Sequence, residues 1–548
     1  MKLKIVFIFA TFPALLLPAY AQQDYASDAL IYSGSSLSGT ARFQGLGGAQ
    51  TALGADLGSL SGNPAGLGMY KKSEWSISPA LGYAGTSAQY IGNTTREGKF
   101  AFSVPNVGVV FSSAKEETAP GRWRGGAFGV SFSRQNSFQN RYAFDGVNNV
   151  SSIADRFAFE ANQRGASVNT LRSEYNFSSN TTSSAYDGGA TAMYFQAYLV
   201  NPFGSDSTSN NRYFQFEAQG EPSGSSRTSV RQQKTFTTSG AASQWNISYG
   251  GNYNDKLYFG ASVGIARLNY HSVNKYDESY FNGKVLNGLT LNQDFNIRGT
   301  GVNFTAGVIY RANDVLRLGA SFTTPTVYGL SETYDSSVDV ARIAIPKLDY
   351  NGDREVDKQG RPLFVNIDPT YTVRTAPRNF NYNLTTPFKA SGGVAFFLGK
   401  SGFITADAEY ISYNTMKVRT DGDASFKTDF ERGNPSLGIT GIQQQFQSVI
   451  NFKIGGEFRY NVLRLRGGFA YQADPYKPSP ANNLDRTRLN FSLGGGVRLP
   501  NYYVDLATTY SQYKSANTPY TLPNSSNYAS ALIRNQLTNV VLTFGTFF

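Results

Sequence analysis

Few side chains in this sequence could do covalent chemistry. Its 548 residues include no Cys and a single His, His271. A nucleophilic hydroxyl needs a base beside it, and the chain has one imidazole and no Gly-x-Ser-x-Gly elbow. Enzymatic function is therefore not expected. The remaining groups of interest are charges. Arg317, Lys453, Arg464 and Arg466 alternate with apolar neighbours, which sets them on one face of extended strands. As cations they could receive a carboxylate. They could equally neutralise Asp407, Glu409, Glu457 and Asp505 in ion pairs that hold something inside a closed sheet. Asp349, Asn351, Asp353 and Asp357 put oxygens at every second position of a polar run, a spacing that suits calcium. Arg354 stands where the EF-hand pattern wants glycine, and Gly360 where it wants glutamate. A structural calcium and a plain polar turn both remain open, and no other cofactor is implied.

The elements that would carry these charges are strands. Period-two alternation and turn residues mark about fourteen of them, near 74–91, 98–113, 122–138, 236–253, 256–271, 294–310, 315–333, 386–399, 402–416, 446–460, 463–474, 487–499, 502–515 and 534–548. Connections after the even-numbered strands are short, such as Tyr253-Asn254-Asp255-Lys256. Those after the odd-numbered ones are mostly long. Outer-membrane barrels alternate in this way, with short turns inside and long loops outside. The last strand sets Val540, Leu542, Phe544, Thr546 and Phe548 on one face. Charges on a lipid face cost up to ~2–4 kcal/mol each at the midplane, so the charged faces belong in the lumen. The expected fold is all-β: a transmembrane antiparallel barrel over 74–548, with a long extracellular loop at 139–235.

The N-terminus agrees with export. Lys2 and Lys4 precede an apolar run from Ile5 to Leu17, and Ala19-Tyr20-Ala21 forms a small-x-small cleavage pattern. A signal peptide is expected at 1–21. No later run reaches the ~18 apolar residues of a membrane helix, and mean hydropathy is −0.33. Without Cys, an exported chain depends on its closed sheet for stability. The 40 Phe, 35 Tyr and 56 Gly suit aromatic girdles and crowded lumen positions. The net charge of +11 fits a solvated surface excess, contact with anionic lipopolysaccharide or attraction of anionic substrates. No nucleic-acid module appears. Residues 22–73 do not alternate. Their small, Gly-rich sequence makes compact irregular backbone, a plug rather than wall.

Gly45-Leu46-Gly47-Gly48-Ala49 followed by Asn63-Pro64-Ala65-Gly66-Leu67 and a barrel resembles the FadL family of outer-membrane transporters for long-chain fatty acids and other hydrophobic compounds. The resemblance continues in Asp255-Lys256-Leu257-Tyr258-Phe259-Gly260-Ala261-Ser262, in Leu316-Arg317-Leu318-Gly319-Ala320-Ser321-Phe322-Thr323-Thr324-Pro325 and in Thr386-Pro387-Phe388-Lys389. It implies fourteen strands, an N-terminal hatch whose motif is Asn63, Pro64, Ala65 and Gly66, and passive uptake in the bacterial outer membrane. It also implies capture by extracellular loops and lateral release at a kinked third strand. Gly125, Gly126 and Gly129 are the candidate kink, since Gly weakens strand pairing; making room for the hatch is the other reading. Phe157, Met193, Tyr194 and Tyr198 lie on two helix-like runs of the long loop and are candidates for substrate capture, or for packing the cap upon itself. The expected partners are a hydrophobic small molecule, outer-membrane lipid and lipopolysaccharide, and the barrel-assembly machinery through the Phe548 strand, with the chain a monomer. A barrel that carries proteins for secretion or surface attachment is the alternative function.

Overall fold

The computed structural model describes residues 25–116, 120–176, 178–182, 188–202, 212–215, 229–281, 286–342, 345–347, 355–358, 363–365, 371–420, 424–433, 440–478 and 483–548. The expected signal peptide and Asp349, Asn351 and Asp353 fall outside them. Fourteen antiparallel strands close into a barrel. They are β1 (Glu74–Tyr90), β2 (Asn93–Ser112), β3 (Trp123–Ser137), β4 (Val230–Tyr253), β5 (Leu257–Tyr280), β6 (Leu286–Arg311), β7 (Leu316–Thr323, continued by Val327–Arg342), β8 (Arg378–Thr385, continued by Lys389–Phe397), β9 (Gly402–Ser412), β10 (Ser448–Tyr460), β11 (Leu463–Gln472), β12 (Arg488–Arg498), β13 (Tyr502–Asn517) and β14 (Ala531–Phe547). The seam closes where β1 pairs with β14, from Glu74 opposite Phe547 to Gln89 opposite Leu532. The outward face is apolar: Phe452, Ile454 and Phe458 of β10 are exposed, while Asn451 and Glu457 on its other face are buried. A wall of exposed large side chains is stable only against lipid.

Pairing is broken in two places. Pro325 and Pro387 interrupt β7 and β8 at the same level, because proline cannot donate to a ladder. The second break is larger. β2 pairs with β3 only from Asn106 opposite Ser133 to Ser112 opposite Ala127. Beyond Pro105, residues 93–105 of β2 pair with β1 alone. The chain leaving β3 enters an inner strand, Asn140–Asn148, which pairs with the outer part of β4. This inner strand lies against the lumen side of the wall. Thr86 Oγ1 of β1 donates to Arg141 O at 2.7 Å, and Asn140 Nδ2 donates to Asn535 Oδ1 of β14 at 3.2 Å. The region from 139 thus begins as strand rather than loop, and β4 begins at Val230.

The lumen is filled from the N-terminus. Helix α1 (Tyr25–Ser33) sits in its outer half, and helix α2 (Ala41–Gly45) with two short 3-10 turns, Leu57–Leu60 and Pro64–Met69, in its inner half. Buried charges fasten α2. Glu457 Oε2 lies 3.6 Å from Arg42 Nε and 2.8 Å from Arg466 Nε, and Arg466 Nη1 lies 2.6 Å from Asp505 Oδ1. Arg459 approaches the other Glu457 oxygen at 2.7 Å. Truncating one member of a buried pair leaves its partner charged and dry, at a cost of about 3–5 kcal/mol. Glu457→Ala should lower unfolding stability by that amount in detergent-solubilised urea titrations. A loss below about 1 kcal/mol, typical of exposed pairs, would show that the cluster is solvated.

Candidate functional site

The hatch rests on wall positions where a side chain will not fit. Asn63 caps the turn that begins at Pro64, its side chain accepting from Ala65 N. Its Nδ2 donates to Thr51 O at 2.7 Å and reaches Val308 O and Ala320 O of the wall at 3.3 Å. A Cβ on Gly307 would lie 1.9 Å from Asn63 Oδ1, and one on Gly260 2.4 Å from Pro64. Gly66 faces Gly54 and Ser59 inside the hatch at similarly short range, so Ala65 and Gly66 are buried. Two strands along the wall from Ala320, Asp407 Oδ2 accepts from Gln50 N, Thr51 N and Thr51 Oγ1 at 2.8–2.9 Å. A carboxylate accepting backbone N–H groups is among the stronger neutral-to-charged contacts.

Helix α1 closes the outer lumen through an aromatic box. Tyr25 lies 4.8 Å from Phe430, 5.1 Å from Phe426 and 5.2 Å from Tyr382, ring centre to ring centre. Its hydroxyl donates to Glu332 and accepts from Arg378, each at 2.8 Å. Between α1 and the inner hatch lies a cavity of about 200 Å³, lined in part by Ser36, Thr51, Arg134, Lys389, Glu409 and Lys453. Lys453 Nζ is 3.2 Å from Glu409, which leaves Lys389 and Arg134 as further cations on the same lining. A second cavity of about 570 Å³ also contains Arg134. It runs to the lumen face of the unpaired part of β2, at Lys99, Ala101 and Ser103, and collects Arg486, Arg488 and Lys514. Arg134 therefore lines both spaces. Its Nε is buried with no hydrogen-bond partner, and β3 slips register between Arg134 and Asn136 against β4. A buried donor left unmade costs ~1–3 kcal/mol.

The residues singled out from sequence separate into distinct places. Lys453 lines the cavity. Arg466 belongs to the ion cluster under α2. Arg317 stacks on Phe397 at 4.2 Å and donates to Leu53 O. Arg464 sits at the β10–β11 turn, donating to Asn461 O and Leu463 O. Arg134 and Lys389 were absent from the sequence-derived set, since neither opposes a clean run of apolar residues. Gly125 takes a φ of +104° at a bulge between Trp123 and Gly125. A Cβ on Gly129 would press on Leu60 of the hatch at 2.9 Å, and one on Gly126 on Gly250 O at 2.6 Å. All three lie at the turn end of β3, away from the unpaired stretch of β2. Phe157 and Tyr194 stack at 3.6 Å between helix α3 (Ile153–Arg164) and the helix Gly188–Gln196. They and Met193 are buried within the cap, and Tyr198 is half-buried. Burial pushes the nearby Glu160 carboxyl up, against the pull of Arg156. Asp357 is described, but among the described residues no three potential metal ligands cluster. His271 Nε2 lies 3.0 Å from Asp294 on the exterior.

No family model matches the sequence, and no curated relative does. A FadL homologue of Pseudomonas aeruginosa is similar in structure at 12% identity, with a TM-score of 0.52 over 93% of this chain and 99% of that one. The toluene transporter TbuX of Ralstonia pickettii aligns with 14% identity and a TM-score of 0.47, over 93% of this chain and 99% of its own. The chain has the FadL-type barrel fold. Loosening the hatch should raise leak. Asp407→Ala removes three contacts, and single-channel recordings in planar bilayers should show larger or more frequent conductance. Unchanged conductance would mean Asp407 does not hold the hatch.

Proposed function

We propose that this protein is an outer-membrane channel for hydrophobic compounds, and that its substrate is an amphiphile with an anionic head, such as a long-chain fatty acid. The reading rests chiefly on Arg134. This half-buried cation, whose Nε is buried and unpartnered, faces both the cavity above the hatch and the wider one that reaches β2. Lys389, Arg486, Arg488 and Lys514 extend the positive lining. A carboxylate can form charge-assisted hydrogen bonds with a guanidinium, while a hydrocarbon can form none.

Exit is assigned to the unpaired stretch of β2. Unpaired backbone at membrane depth is tolerated only where protein or a water-filled cavity covers it. Lys99, Ala101, Ser103 and Pro105 of this stretch border such a cavity. A chain whose head lies at Arg134 has its tail directed toward this edge and the lipid beyond. Concentration difference alone drives the flux, with α1 and the hatch blocking straight passage.

The test is uptake by cells lacking their own fatty-acid channel. Arg134→Gln should reduce uptake of oleate about tenfold or more, the equivalent of ~1.5–3 kcal/mol for a hydrogen bond to a charged group. Toluene entry should remain unchanged. Equal loss of both, or of neither, would contradict a role in head-group selection.

A further inference from the structure

The outer surface carries a second polar site, away from the lumen. On β5 the outward residues run Val263, Ile265, then Arg267; on β6 they run Phe304, Val302, Thr300, then Arg298. All are exposed, and the change from apolar to basic marks the loop-side edge of the lipid-facing belt. Arg267 opposes Thr300, and Arg298 opposes Asn269. The two arginines are therefore diagonal neighbours across adjacent strands, within reach of one small anion. Neither has a carboxylate partner among the described residues.

Between them and β8 lies a hollow of about 810 Å³. Arg267, Arg298, Thr300, Ser331, Asn381 and Asn383 line it, and no acidic residue does. Gly329 forms its floor, where an added Cβ would meet nothing closer than Asn383 Oδ1 at 3.8 Å. Acids on the surrounding elements are engaged elsewhere: Asp294 with His271, Glu332 with Tyr25 and Arg378, and Glu431 with Arg419 at 3.5 Å. Two unpaired cations set side by side repel unless an anion joins them.

We propose that this hollow binds the phosphorylated head group of an outer-leaflet glycolipid. Phosphate matches the paired guanidinium groups. The amides and hydroxyls on the rim suit sugar hydroxyls, and the acyl chains lie along Ile265, Val263, Val302 and Phe304. The site rests on the outer-membrane placement but not on the transport pathway. It holds a boundary lipid at one position of the wall, at the polar rim of β5–β8, and takes no part in moving substrate.

Native mass spectrometry of the full chain in detergent, titrated with bisphosphorylated lipid A, tests the proposal. One adduct should persist on the wild type and on Lys400→Gln at the opposite rim. Its affinity should fall at least tenfold in Arg267→Gln/Arg298→Gln. Gly329→Phe, which fills the hollow and leaves both arginines, should do the same. Dephosphorylated lipid A should not bind, and millimolar inorganic phosphate should not displace the adduct. Both variants should still take up oleate at the wild-type rate, which separates this site from the channel. Equal adducts in every form, full displacement by inorganic phosphate, or equal binding of phosphatidylglycerol would overturn the assignment.

Discussion

Every backbone N–H and C=O at membrane depth must find a partner within the protein, because hydrocarbon supplies none. This constraint shapes the chain from end to end. It explains why β1 returns to β14 over nearly its whole length. It also makes each gap in the ladder informative. The gap at Pro325 and Pro387 is bridged locally, with Thr386 N donating to Thr326 O and Thr326 N to Thr386 Oγ1. The stretch of β2 beyond Pro105 is not bridged by β3 at all. Instead the inner strand passes behind it, tied by the Arg141–Glu97 ion pair at 3.1 Å, and Lys99 Nζ donates to Thr238 O of the β4 segment paired with that strand. Side chains and a cavity replace the ladder there, and side-chain contacts can open without breaking a sheet.

A closed wall encloses a polar lumen, which then has to be filled. The filling is done by charge and by missing side chains together. Arg42 enters the wall's Glu457–Arg466–Asp505 cluster, while wall glycines at 250 and 260 let the Pro64 backbone approach closely and Gly307 makes room for the Asn63 side chain. Buried ion pairs contribute little net stability over an apolar core. Their value lies in fixing one position for the hatch. The aromatic box around Tyr25 does the same for α1 by shape, with Glu332 and Arg378 satisfying the phenol. What is left between the two plugs is small and basic.

Much of this was legible in the sequence for one reason: lipid on one side and charge on the other impose strict alternation. Runs such as Phe452, Ile454 and Phe458 against Lys453 and Glu457 set both strand and face. The Asn254-Asp255 turn, with both residues at positive φ, set a boundary. Reading failed where the determinant was tertiary. Pro105 sits inside an alternating run, and nothing local says that β3 has left. Arg134 gains its environment from a register slip against β4. Phe157, Met193 and Tyr194 have an apolar pattern that fits capture or packing equally, and the fold packs them. Gly129 faces Leu60 of the hatch, a contact set by a segment more than sixty residues upstream.

Lateral exit requires the β2 edge to open. The native chain has no Cys, so Glu97→Cys with Arg141→Cys places the only two thiols on either side of that edge. A short, reducible bis-methanethiosulfonate can then tie β2 to the inner strand, and oleate uptake can be followed before bridging, after bridging and after reduction. If this edge is the exit, uptake falls to background when the bridge is complete and returns when it is reduced. Uptake that continues unchanged through a fully bridged barrel would contradict lateral exit at this edge.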